Sequence, residues 1–223
     1  LNRALDELHL GNTHPPDQTL RGGTQTYGDL FAQRAPVIQQ LRASIEQCVR
    51  SYIYELGDEL GDEVGNKKDD NAQHPLLARK SDGFRFAASW SCRLKQQGFH
   101  TNHVHPKGWI SSCYYVSLPD AVKNGNDQQG WIKFGETNLQ LGEHERIAHT
   151  VQPSEGLLVL FPSYMFHGTV PFISQQARTT VAFDVVPGVV PDGGPDGDPD
   201  GDPDGDPDGD PNSDAQRPSR NNA

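Results

Sequence analysis

The sequence is poor in cysteine. Cys48, Cys92 and Cys113 are odd in number and widely spaced, which argues against a disulfide framework and against a cysteine-based zinc site. The cytoplasm is then the default compartment. Long apolar runs are missing too: no stretch approaches the roughly 18 residues of a membrane span. The opening Leu1-Asn2-Arg3-Ala4 is not followed by the apolar run of a signal peptide. It also lacks an initiator Met, so the chain is expected to be trimmed or to begin inside a longer one. An excess of basic charge is absent, which removes support for nucleic-acid binding. Gly22-Gly23-Thr24 has neither the preceding strand nor the Lys of a phosphate-binding loop. No Ser/His/Asp order suggests a hydrolytic triad.

What is present divides the 223 residues unevenly. Apolar residues make up 34 %, less than a compact domain normally uses, and the shortfall is local. Residues 191–223 hold ten of the thirty acidic side chains against Arg217 and Arg220, a net charge of −8. The remainder carries 17 basic and 20 acidic groups, a net −3, and is almost neutral. Pro-Asp-Gly-Asp repeats in register from Pro195 to Asp210. Such a segment cannot bury enough to offset its ordering entropy, so 191–223 is expected to be a disordered acidic tail. Its spacing lacks the terminal bidentate Glu of an EF-hand loop.

Residues 1–27 are rich in polar and turn-forming residues and read as a segment wrapping the surface. A domain over 28–190 follows. Pro36 suits a first helical position. Val37, Ile38, Leu41, Ile45, Val49, Tyr52 and Ile53 then recur mostly at three- and four-residue steps, one apolar stripe on a helix ending near Gly57. Residues 57–75 read as an exposed loop. From Phe84 the period changes to two. Strands are expected over 84–94, 98–105, 109–118, 131–134, 156–161, 167–172 and 178–186, separated by Pro, Gly and Asn. Many short strands after one long helix predict a mainly β chain, an antiparallel sandwich or barrel backed by a helix.

Three of nine histidines fall within six residues: His100, His103 and His105. In His103-Val104-His105 the two rings share one face of an extended segment. Two imidazoles side by side can grip iron, zinc, copper or nickel. A third ligand must come from elsewhere, and His167, after the apolar run Leu157–Phe161, is the candidate. A surface accident beside a Pro-Gly turn is the competing reading of the pair. His100 has the opposite parity and is expected to face away. Trp90, Trp109 and Trp131 read as packing residues, and Cys113 as a small core residue. Glu136 is expected at the surface, Asn102 flanks the pair, and Asp184 is expected to make a structural hydrogen bond.

Taken in order, four segments resemble the 2-oxoglutarate- and Fe(II)-dependent oxygenases. They are His103-Val-His105, Ser111-Ser-Cys-Tyr-Tyr115, Gly156-Leu-Leu-Val-Leu-Phe-Pro-Ser-Tyr-Met-Phe-His167 and Arg178-Thr-Thr-Val-Ala-Phe-Asp184. The nearest look is to oxygenases related to prolyl 4-hydroxylase that often follow tetratricopeptide repeats, so such a region upstream is an expectation. The resemblance covers roughly residues 12–188. It implies a double-stranded β-helix, or jelly-roll, with Fe(II) inside one open end. It implies His103 and His167 as iron ligands. It further implies that Arg178 and Tyr115 bind the far carboxylate of 2-oxoglutarate. A guanidinium holds a carboxylate through two parallel hydrogen bonds, which suits Arg to that role.

One position departs from the family pattern. An acid usually stands two residues after the first histidine, and this chain has His105. Either His105 ligates, giving three neutral imidazoles, or it stands behind the metal, or the site has lost its metal. Ligation is the reading adopted. The expected activity is hydroxylation of a C–H bond of a small-molecule or peptide substrate, using O2 and releasing succinate and CO2. The rivals are a three-histidine metal enzyme independent of 2-oxoglutarate and a non-catalytic binding module on a decayed oxygenase fold.

Overall fold

The apolar alternation over 84–94 and 178–186 is realised as two long neighbouring strands that organise the chain. The computed structural model describes residues 1–11, 13, 18–56, 73–81, 83–125 and 127–188. The strands are β1 (Leu20–Gln25), β2 (Phe84–His100), β3 (Ile110–Ser117), β4 (Ile132–Phe134), β5 (His149–Val151), β6 (Leu158–Pro162), β7 (His167–Thr169) and β8 (Arg178–Pro187). The helices are α1 (Asn2–Asp6), α2 (Pro36–Glu55) and α3 (Asp120–Asn124). Every strand pairing is antiparallel. One sheet has the order β1-β2-β8-β3-β6 and the other β5-β4-β7. This is the jelly-roll architecture that the resemblance implies.

The larger sheet is buried on both faces, and the strand period sorts its side chains. On β8, Val181, Phe183 and Val185 join Phe84 and Ile110 against Ile38, Ile45, Val49 and Ile53 of α2. Burying each of those four helical side chains is worth about 1.5–3 kcal/mol, so α2 is a brace for the outer face. On the inner face Trp90, Cys92, Cys113, Tyr115 and Phe161 meet Ile132 and Phe134 of the smaller sheet. The site lies between the two sheets.

Two sequence expectations change here. A separate strand over 98–105 does not form. Instead β2 runs on to His100 by looping out 95–98 opposite a single residue of β1, Gly22. Gln97 and Gly22 take the left-handed conformation there (φ 61° and 67°). A Cβ on Gly23 would stand 2.3 Å from the Arg93 carbonyl oxygen, so only glycine lets the two strands close at this point. Within 1–27, Leu20–Gln25 is the edge strand of the main sheet, and Leu5 and Leu20 are fully buried. Most of the loop expected over 57–75, and all of the tail at 191–223, lie outside the described residues. Among the described residues, no helix is long and apolar enough to cross a membrane.

Candidate active site

The three histidines singled out by their spacing converge. One ring nitrogen from each of His103, His105 and His167 lies within 4.8 Å of the other two. Backbone pairing brings them together. His103 and His167 form an isolated antiparallel bridge, each N–H donating to the other's carbonyl at 3.0 Å. The His105 N–H donates to the Ser163 carbonyl at 2.9 Å. The segments that carry the rings are thus hydrogen-bonded to each other by their own main chains. Gly168 makes the approach feasible: a Cβ there would stand 2.6 Å from Asn102 Oδ1 and 3.0 Å from the His100 carbonyl.

Each ring is also turned by an oxygen acceptor. Nδ1 of His103 meets the Thr101 carbonyl at 2.7 Å, and Nδ1 of His167 meets the Met165 carbonyl at 3.0 Å. Nδ1 of His105 meets Asp184 Oδ2 at 2.6 Å. A carbonyl or carboxylate oxygen only accepts, so each Nδ1 carries the hydrogen, and a neutral ring then has its lone pair on Nε2. Burial holds His103 down to about 4, helped by the neighbouring His105 and opposed by the Thr101 carbonyl. His167 lies well below 6.5 for the same first reason, with His103 and His105 adding to it. Both are neutral imidazoles at neutral pH, the form that binds metals. A donor set of three converging imidazoles suits a divalent transition metal.

Farther along the same cavity stands Arg178, 1 % exposed. Its Nε donates to the Gly130 carbonyl at 2.9 Å, and Nη2 lies 4.0 Å from the Cys113 sulfur. Among the described residues Nη1 has no hydrogen-bond partner and no carboxylate pairs with this guanidinium. A buried cation without an anion is costly. Tyr115 does not line the cavity itself. Its ring stacks on the guanidinium at 5.0 Å, and its buried hydroxyl has no well-aligned partner. Burial pushes that phenol well above 10, so it is a hydrogen-bond donor at neutral pH. Thr180 and Ala182 line the wall between Arg178 and the histidines, as their parity on β8 requires.

His100 was expected to face away and does not. It lines the cavity, with Nδ1 3.2 Å from Thr169 Oγ1, because the chain bends at Asn102 and strand parity ends there. Burial, with His103 and Arg178 nearby, holds it well below 6.5. Asn102 itself ties down the rim, donating to Glu136 Oε2 at 2.9 Å and to the Thr137 carbonyl at 3.0 Å. Glu136 is therefore a half-buried rim residue, also paired with Lys133, rather than a free surface carboxylate. Trp90 lies over His105, ring centroids 5.8 Å apart. Trp109 is pure packing, its Nε1 donating to the Leu76 carbonyl.

Residues 88–184 match the family described as "Putative 2OG-Fe(II) oxygenase". That segment belongs to the 2OG-Fe(II) oxygenase family. It takes in the three histidines, Tyr115, Arg178 and Asp184. No curated protein matches the chain. Among solved structures, a prolyl 4-hydroxylase from Pseudomonas putida is similar at 17 % identity and a TM-score of 0.49, over 83 % of this chain and 81 % of that one. The viral collagen prolyl hydroxylase of Paramecium bursaria Chlorella virus-1, in a 2OG complex, is 12 % identical at a TM-score of 0.49, over 83 % and 88 %. HygX from Streptomyces hygroscopicus, with nickel and 2-oxoglutarate bound, is 12 % identical at 0.45, over 83 % and 77 %.

Proposed function

We propose that this oxygenase-family chain is an Fe(II)- and 2-oxoglutarate-dependent dioxygenase that hydroxylates a C–H bond of a small molecule or peptide. His103, His105 and His167 would hold the iron through Nε2. Arg178, with Tyr115 stacked on it, would hold the far carboxylate of 2-oxoglutarate. When bound, the metal and cosubstrate supply oxidation by O2: one oxygen atom enters the C–H bond, the other enters succinate, and CO2 leaves. The protein holds the ligands neutral and aimed, anchors the cosubstrate by charge, and keeps water out between two packed sheets.

The observation that carries this reading is Arg178. A three-histidine metal site alone suits several enzymes. A buried guanidinium in the same cavity, with no anion among the described residues, calls for an anionic ligand, and a dicarboxylate reaching from metal to Arg178 would answer it. The test is an anaerobic titration of metal-free protein with Fe(II) and then 2-oxoglutarate. The visible charge-transfer band of a chelate is expected, and it should vanish in His167→Ala. Iron binding without a band would instead make the site a metal enzyme independent of 2-oxoglutarate. No iron binding would leave a binding module.

A further inference from the structure

Three neutral imidazoles leave a divalent ion with its full charge, where two imidazoles and a carboxylate would cut it to +1. The carboxylate missing from position 105 is nevertheless present, one ring farther out. Asp184 is 5 % exposed, on the central strand β8, and its Oδ2 accepts from His105 Nδ1 at 2.6 Å. Its Oδ1 accepts from Ser111 Oγ at 2.6 Å, and Ser111 in turn bonds Ser163 Oγ at 2.8 Å. Ser163 is the residue whose carbonyl receives the His105 N–H, and it lies in the connection that leads to His167. Both oxygens of one buried carboxylate are thus used to fix a single ring and the segment next to it.

We infer that Asp184 is the positioning residue that makes His105 a metal ligand: it holds the hydrogen on Nδ1 and supplies, through the imidazole, the negative charge that the family keeps in direct contact with the metal. This rests on the reading of the site as an Fe(II) centre. A carboxylate behind a ligating histidine fixes its tautomer and raises its basicity, and loss of such a partner commonly costs 10- to 100-fold in metal affinity. A carboxylate that merely satisfied Ser111 on the strand would do neither.

The first measurement needs no metal and no variant. In 15N-labelled, metal-free wild type, long-range proton–nitrogen correlations should show His105 protonated on Nδ1 and bare on Nε2. The opposite tautomer would overturn the inference. The second measures Fe(II) affinity under anaerobic conditions by competition with a chelator. Asp184→Asn keeps the shape and can still accept from Nδ1, so it isolates the charge and should weaken binding about 10-fold. Asp184→Ala also releases the tautomer and should approach a 100-fold loss. Wild-type affinity in both variants would overturn the role of Asp184 while leaving the iron site standing. A wild type that takes up no Fe(II) would overturn the functional reading itself. If neither variant folds, the wild-type tautomer decides.

Discussion

At the scale of single residues, the site is held in a costly state before any ligand arrives. Arg178 is the clearest case, since its guanidinium is buried and no carboxylate among the described residues pairs with it. Burying an ion without a partner costs several kcal/mol, which an apolar side chain of similar size avoids. Arg178→Met should therefore be at least as stable as wild type in the absence of 2-oxoglutarate, and should gain nothing when 2-oxoglutarate is added. Melting curves with and without the cosubstrate check both halves. A large loss of stability in the ligand-free variant would mean that the bond to the Gly130 carbonyl, and not an anion, accounts for Arg178. The same scale shows where sequence was enough. The spacing of His103 and His105, with His167 after an apolar run, singled out three rings that the fold does bring together. His100 was misplaced because the rule used for it holds only along an unbroken strand. The bend at Asn102 depends on Glu136 and Thr137, more than thirty residues away, and no local pattern announces it.

At the scale of elements, β8 does two jobs with alternating side chains. Val181, Phe183 and Val185 pack toward α2, while Arg178, Thr180 and Ala182 line the cavity. The two faces should separate experimentally. Phe183→Ala removes a fully buried ring from the helix side and should cost about 3–5 kcal/mol, read by urea unfolding. Its Fe(II) affinity at a temperature where it remains folded should stay within a few-fold of wild type. A collapse of affinity together with stability would show that the helix brace and the site are one cooperative unit. This strand and α2 were legible because a period of two or 3.6 over many residues leaves a strong mark. β1 was not, because Leu20-Arg-Gly-Gly-Thr-Gln25 has no such alternation and is a strand only through its pairing with β2.

At the scale of the whole molecule, acid should act through buried histidines. His9 is held near 4, first by burial and then by Arg93, and it bridges Thr24 and Ser91 between the N-terminal segment and the sheet. His103 is likewise near 4. Both titrate near 6.5 once unfolded. Between those values the unfolded chain binds more protons than the folded one, so stability falls as pH drops. Metal-free protein should hold its full stability above about pH 6.5 and lose it progressively as the pH falls toward 4. His9→Gln should flatten part of that slope, as thermal melts across the pH range would show. The placement of Arg178 and Asp184 on one central strand also bears on length rather than identity. A single residue inserted between 178 and 184 would turn one of those two side chains out of the cavity toward α2 and bring its apolar neighbour in. Two inserted residues would restore the facing and yet stretch the span between Arg178 and Asp184 by about 7 Å. On the proposed function, the reach from metal to anchor would be set by the residue count of one strand.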